Sequence, residues 1–214
     1  MIDIPYIITL IAVILVSMTL HEAMHAFMGY WLGDTTAKEE GRLTLNPIHH
    51  IDPFLTIILP VTLAVIGAPI FGGAKPVPFN PARVRYGEWG AALVALAGPI
   101  TNLLIAFVVF GVVAIFSIDT ATPLGMVCQM AVLVNLGFFV FNMLPMPPLD
   151  GSRVVYALAP EFVRRGMEVI EQYGIMLVFV LVMVASSVGL LGNIMQLGIE
   201  AVLQLFTWIF SAFL

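Results

Sequence analysis

Runs of residues free of Asp, Glu, Lys, Arg and His divide the chain into six long apolar segments: 4–20, 54–74, 89–118, 120–149, 172–192 and 193–214. Only Glu200 interrupts the last of them. Each approaches or exceeds the roughly 20 residues that a membrane-crossing helix needs. Pro60, Gly67 and Pro69 break the second segment, and Gly192-Asn193 marks a turn between the last two. No repeat, low-complexity tract or soluble domain intervenes. The pattern predicts an all-α polytopic membrane protein of about six hydrophobic segments. It forms one domain over 1–214, with a core at 4–155 and C-terminal helices at 172–214. The first segment starts beside Asp3 rather than a basic cluster, and no small-residue cleavage pattern follows. It is therefore expected to be a retained anchor helix, not a signal peptide. The stretch RVVYALAPEFVRRGMEVIE after Asp150 reads as an amphipathic helix on the cytoplasmic surface.

Composition sharpens the class. The chain is 61% apolar and 10% charged, against about a quarter charged in an average globular protein. Such a chain has too much surface to bury to be disordered and too few charges to coat a soluble fold. The net charge of −5 excludes a nucleic-acid partner, which needs a basic face. Cys128 is the one cysteine, so no internal disulfide forms.

The eight basic residues fall in three places: Lys38 and Arg42; Lys75, Arg83 and Arg85; Arg153, Arg164 and Arg165. Placing all three groups in the cytoplasm makes the first segment run inwards. The third to sixth segments then run out, in, out and in. The second has cytoplasmic charges at both ends, so 54–87 is expected to be re-entrant, or to cross and return through the extended KPVPFNP. Such backbone is tolerated at depth only where protein or water shields it. The alternative is an ordinary crossing with Lys75, Arg83 and Arg85 outside.

The sharpest chemistry is His21-Glu22-Ala23-Met24-His25. Positions i and i+4 share a helix face, so both imidazoles can bind one zinc ion. Glu22 is placed to act as general base on a water. Three ionisable residues at the end of an apolar helix are costly without a compensating ion.

A catalytic zinc takes three protein ligands. Trp31 stands where a metzincin would carry its third histidine. Glu39 and Glu40 lie in a charged turn, and His49, His50 and Asp52 in a surface loop, so all five read as structure. Asp150 closes a chargeless stretch at the inner end of the fourth segment, at the depth of the two histidines. It is the third ligand candidate. With Glu22 and Asp150 at −1 each and Zn²⁺ at +2 the site is neutral, which lowers the cost of burial.

HEAMH at 21–25 and NMLPMPPLDG at 142–151, joined by GRLTLNPIHHIDPF, FGGAKPVPFNP and AGPITN, resemble the site-2 protease family of intramembrane zinc metalloproteases, peptidase family M50. The matching pieces cover most of 15–155 in the expected order, and the compact branch lacking PDZ and CBS domains is the best fit. The resemblance implies that His21, His25 and Asp150 hold one catalytic Zn²⁺ and that Glu22 activates the attacking water. The substrate it implies is a single-pass transmembrane protein, cut within or near the bilayer in regulated intramembrane proteolysis. The expected setting is the plasma membrane of a prokaryote, with the active site towards the cytoplasm.

A helical substrate must unwind before its carbonyls can be attacked. The alternating LTLN at 43–46 is expected to form a short β-hairpin or extended loop beside the active site, offering a strand edge. Asn142, about two turns from Asp150, and Asn102 are substrate-binding candidates. Asn142 can equally serve as an inter-helix hydrogen-bonding group, and Asn102 is the weaker candidate. Thr101, Gln129 and Asn135 are candidates for admitting water. Pro145, Pro147 and Pro148 are expected to break the fourth segment beside Asp150. The rival readings are a membrane zinc transporter and a non-catalytic zinc-binding membrane protein. A transporter should carry metal-binding side chains at successive depths, and only Glu200 is added in the spans.

Overall fold

The computed structural model describes residues 4–65 and 72–213. Helix α1 (Ile4–Leu32) is continuous. The charge-free rule ends the first segment at Leu20, but the helix runs through HEAMH and seven residues beyond. His21 and Ala23 are among its buried positions, so the polar group sits in the helix interior rather than at its end. A short helix α2 (Thr36–Glu39) and a 3₁₀ turn (Pro47–His50) follow. A π-helical turn (Pro53–Ile58) then leads into α3 (Leu59–Val65). Asp52 caps it by accepting from the N–H groups of Phe54 and Leu55 at 2.9 and 2.8 Å, with Pro53 in the first turn.

Both ends of this apolar segment lie side by side. Gly73 N–H donates to the Leu55 carbonyl at 3.1 Å, and Thr56 Oγ1 donates to the Gly73 carbonyl at 2.7 Å. Lys75 N–H donates to the His50 carbonyl at 2.9 Å. The chain thus leaves from Pro53 and is back beside Leu55 by Gly73. Residues 66–71 lie outside the described residues, and with them the choice between a re-entrant segment and a full crossing.

From Gly73 to Asn80 the backbone is extended and forms a strap along α1. Pro76, Pro78 and Pro81 keep it out of helix. Asn80 N–H donates to Asp34 Oδ2 at 2.8 Å, and Arg85 N–H to the Leu32 carbonyl at 2.9 Å. These bonds fix the strap to the end of α1. Burial pushes the Asp34 carboxyl up, but bonds from Asn80 and Thr36 outweigh it and hold the pKa below the ordinary carboxylate value.

Helix α4 (Glu88–Ile115) is the central element and packs against α1, α5 (Pro123–Asn142) and α6 (Asp150–Leu158). The buried faces of α1 and α4 are built from small residues: Ala23 and Ala26 on one, Ala91, Ala92, Ala95 and Ala97 on the other. Small side chains let two membrane helices approach closely. Thr122 accepts from Gly125 N–H at 3.1 Å to cap α5, and Pro123 occupies the first turn. The helix stops at Asn142, and the proline-rich Met143–Leu149 carries the chain to α6, as the sequence predicts.

After α6, α7 (Glu161–Gln172) and α8 (Gly174–Ser187) meet at 85°. The amphipathic stretch expected after Asp150 is thus two helices, because Pro160 forces the residue before it into extended geometry. Helix α9 (Leu190–Ile209) packs on α4 and α5 through Phe206, which lies among Leu103, Phe107, Phe110, Val132 and Leu136.

Among the described residues, α1, α4, α5 and α9 are long and apolar enough to cross a membrane, and the bent α7–α8 pair makes at most a fifth span. The expected count of about six hydrophobic segments, one possibly re-entrant, is not confirmed, and the second of them, 54–74, lies partly outside the described residues. The expected β-hairpin is also missing: no strand occurs among the described residues. LTLN is bent because its groups bond locally. Thr44 N–H donates to the Arg42 carbonyl at 3.0 Å, Thr44 Oγ1 accepts from Asn46 N–H at 3.1 Å, and His50 Nε2 donates to the Thr44 carbonyl at 2.9 Å.

Candidate metal centre

The i, i+4 spacing on α1 brings His21 and His25 together, their Nε2 atoms 3.0 Å apart. Asp150, the first residue of α6, brings its Oδ2 within 3.2 Å of His21 Nε2 and 3.4 Å of His25 Nε2. Among the described residues this is the one group of three or more His, Cys, Asp or Glu side chains close enough to hold a metal ion.

The Nδ1 proton of each ring follows from its outer partner. His25 Nδ1 faces the Val94 carbonyl at 2.8 Å, a group that only accepts, so Nδ1 carries the proton. For His21 the assignment starts two side chains away. Asn135 Nδ2 donates to the Ala131 carbonyl at 2.8 Å and to Ser17 Oγ at 2.9 Å, so Asn135 Oδ1 is turned towards Asn102. Asn102 must then offer Nδ2 to it, at 2.8 Å, with a second, longer contact of 3.4 Å to the Ser17 carbonyl. Its Oδ1 is left for His21 Nδ1, at 2.6 Å. In its neutral form each ring therefore holds its lone pair on Nε2. The two lone pairs face each other and a carboxylate oxygen that is buried without a hydrogen-bond donor.

In the proton-free form that ligation requires, these three donor atoms at 3.0–3.4 Å repel unless a cation sits between them. Zinc bonds of about 2.0–2.1 Å give a tetrahedral edge of about 3.3 Å, so the spacing suits this ion. The donor set of two imidazoles and one carboxylate also suits it and leaves one position for water or substrate.

Two features around the histidines carry no signal in the local motif. A Cβ on Gly98 would lie 2.4 Å from His25 Nε2 and 2.7 Å from His21 Nε2, so only glycine lets α4 pass this close. Neighbouring Pro99 has no N–H for the Ala95 carbonyl, one residue past the Val94 carbonyl that accepts from His25 Nδ1–H. The second feature is the strap: Val77 N–H donates to Glu22 Oε2 at 3.2 Å. The Gly-Pro pair inside an apolar segment is the one sequence sign of the first; nothing local marks the second.

The other candidates are placed as follows. Asn102 is fully buried on the far side of His21, with every amide group engaged. Asn142 is half-buried at the end of α5 and donates to the Phe138 carbonyl of its own helix at 3.0 Å. Thr101 likewise donates to its own helix, at Ala97. Gln129 lines a separate cavity of about 240 Å³ with Thr120 and Leu203. Glu39 pairs with Arg83 at the surface, Glu40 and His49 are exposed, and Asp52 is a cap.

The model of peptidase family M50 matches residues 111–186, which include the LDG segment. The chain is 37% identical over 217 residues to "Putative zinc metalloprotease YwhC" of Bacillus subtilis strain 168, covering 98% of this chain and 94% of that protein. The chain belongs to peptidase family M50. "Putative zinc metalloprotease Rip2" of Mycolicibacterium smegmatis is 32% identical over 176 residues, covering 81% of this chain and 66% of the relative. Rip2 of Mycobacterium tuberculosis strain H37Rv is 29% identical over 181 residues, with 82% and 66% covered. No solved structure matches the chain. As an M50 member the chain carries its HEAMH and LDG segments on different helices, and the fold closes them into one cluster.

Proposed function

We propose that this zinc metalloprotease of family M50 cuts transmembrane-helix substrates within or near the bilayer, in regulated intramembrane proteolysis, with residues 1–214 acting as a single membrane-embedded domain. The observation that carries the reading is the convergence of His21 Nε2, His25 Nε2 and Asp150 Oδ2 inside a set of membrane-length apolar helices. His21 lies 17 residues into α1, about 26 Å along it at 1.5 Å per residue, with a further three turns beyond. This depth supports a site reached from within the membrane.

His21, His25 and Asp150 hold the ion. When bound, it supplies Lewis acidity that polarises the scissile carbonyl and makes water nucleophilic near neutral pH. Glu22 takes the proton from the attacking water and returns it to the leaving amine. Asn102 and the Val94 carbonyl hold the two imidazoles in the tautomer that ligates. Asn142, at the break where α5 ends, binds a carbonyl of the unwound substrate. The protein sits in the plasma membrane of a prokaryote with this site towards the cytoplasm, a placement supported by the three basic clusters.

The test is Glu22→Gln in proteoliposomes with a single-pass substrate. Zinc content should stay at one per chain while cleavage is lost. Cleavage at the wild-type rate by the zinc-loaded variant overturns the mechanism, and zinc uptake by wild-type vesicles makes the chain a transporter.

A further inference from the structure

We infer that α9 is a self-association face, and that the protein is a two-fold dimer in the membrane through a polar stripe on this helix. The five polar side chains of α9 are Asn193, Gln196, Glu200, Gln204 and Thr207, and all five are exposed. At 100° per residue they lie within about 40° either side of Glu200, and Ser211 just past the helix continues the line. The opposite face is the packed one. Phe206 is buried against α4 and α5, and a Cβ on Gly198 would meet Val140 at 2.6 Å. The stripe therefore points away from the rest of the molecule along the whole of a membrane-length helix. Glu200 is ten residues from Leu190, about 15 Å along the axis and so near mid-bilayer.

Amides and a carboxylate facing lipid at that depth are costly, and polar side chains in spans are normally turned to another helix. Glu200 is only half satisfied: Gln196 Nε2 donates to its Oε1 at 2.7 Å, which leaves Oε2 able to accept. Trp208 and Leu203 flank a shallow groove of about 450 Å³ along the same stripe, shaped to seat a neighbouring helix.

A second copy fits this face better than an unrelated helix. All copies insert in one orientation, so a closed pair using one face needs a two-fold axis along the bilayer normal. The two stripes then face each other at equal depth. Amides and hydroxyls both donate and accept, so they pair with their own kind. The open Oε2 of Glu200 accepts from a Gln196 or Gln204 amide of the second copy. A different partner would need an independently matched polar stripe at the same depths.

Single cysteines at Gln204→Cys and Thr207→Cys, each in a Cys128→Ala background, test this in native membranes under mild oxidation. Leu104→Cys, on an exposed position of α4, gives the background. Both stripe variants should form a disulfide-linked species of twice the chain mass, at least tenfold above Leu104→Cys. Light scattering in mild detergent should give two chains per particle for the wild type. The triple variant Gln196→Leu, Glu200→Leu, Gln204→Leu should give one, with zinc content unchanged. Cross-linking of both stripe positions at background level overturns the inference, as does cross-linking to a different protein or a triple variant that stays dimeric. The readouts are mass and cross-linking, so this inference and the protease reading fail separately.

Discussion

Val77 N–H donates to Glu22 Oε2 at 3.2 Å, tying the extended strap to the helix that carries both histidines, across 55 positions of sequence. In the proposed mechanism Glu22 receives and returns a proton, which requires one orientation, and this bond limits its rotation. Val77→Pro removes the N–H in a strap that already reads Lys75-Pro76-Val77-Pro78 and tolerates proline geometry. A charge-assisted hydrogen bond contributes about 1.5–3 kcal/mol, so kcat should fall roughly 10- to 100-fold, with zinc content and KM little changed. Val77→Ala keeps the N–H and should stay within about twofold of wild type. Single-turnover cleavage of the two variants separates loss of orientation from loss of packing.

Asn102 fixes the proton of His21, and Asn135 and Ser17 fix Asn102. Outer partners of ligating histidines typically contribute 10–100-fold to metal affinity. Asn102→Ala should weaken zinc binding by about that factor, because His21 is freed to carry its proton on Nε2. Asn135→Leu should have a smaller effect in the same direction, since it leaves Asn102 bonded to His21 but unbraced. Competition with a chelating dye measures both. Equal affinities in wild type and Asn102→Ala would show that the network only packs the helices.

What the sequence made legible at this centre was what a charge-poor background exposes. His21, Glu22, His25 and Asp150 stand out because ionisable residues are so rare in the spans, and the 3.6-residue period puts the two histidines on one face. The same rule misjudged α1, since treating charge as the end of a span cut the helix at Leu20. In the fold, the polar side chains of HEAMH turn to Asp150, Asn102 and Val77 instead of to lipid, and the helix continues to Leu32. LTLN has the alternation of a strand, but Thr44 and His50 bond it into a bend, a competition that periodicity does not register. Gly98, Val77 and the Asn102–Asn135 pair act through contacts between segments distant in sequence.

Asp34 ties α2 and the strap to the end of α1 through bonds from Thr36 and Asn80. Its folded pKa lies below the ordinary value, so its contribution is complete above the unfolded pKa of about 3.9. That contribution is lost as pH falls through the lower, folded value. Asp34→Asn should lower thermal stability at pH 7 and flatten the loss of stability seen on acidification below about pH 4. Asp34→Ala should cost about 1–3 kcal/mol at pH 7. Melting curves in detergent across the acid range give both numbers.

Gly98 decides whether α4 can carry a metal site on its neighbour at all. The Cβ of Gly98→Ala would stand 2.4 Å from His25 Nε2 and 2.7 Å from both Nε2 and Cε1 of His21. Those atoms cannot yield as the end of a flexible chain would, because Val94 and Asn102 hold both rings from behind. One imidazole must leave its outer partner, or α4 must move away from α1 along a face of alanines that packs only at short range. Either response separates the ligand atoms. Alanine itself suits the helix better than glycine, so secondary structure should be kept or slightly strengthened. The expected outcome is a variant with wild-type helical circular dichroism, zinc below one tenth of the wild-type stoichiometry and no proteolysis. Full zinc loading of Gly98→Ala would mean that the two helices sit further apart than the distances here require.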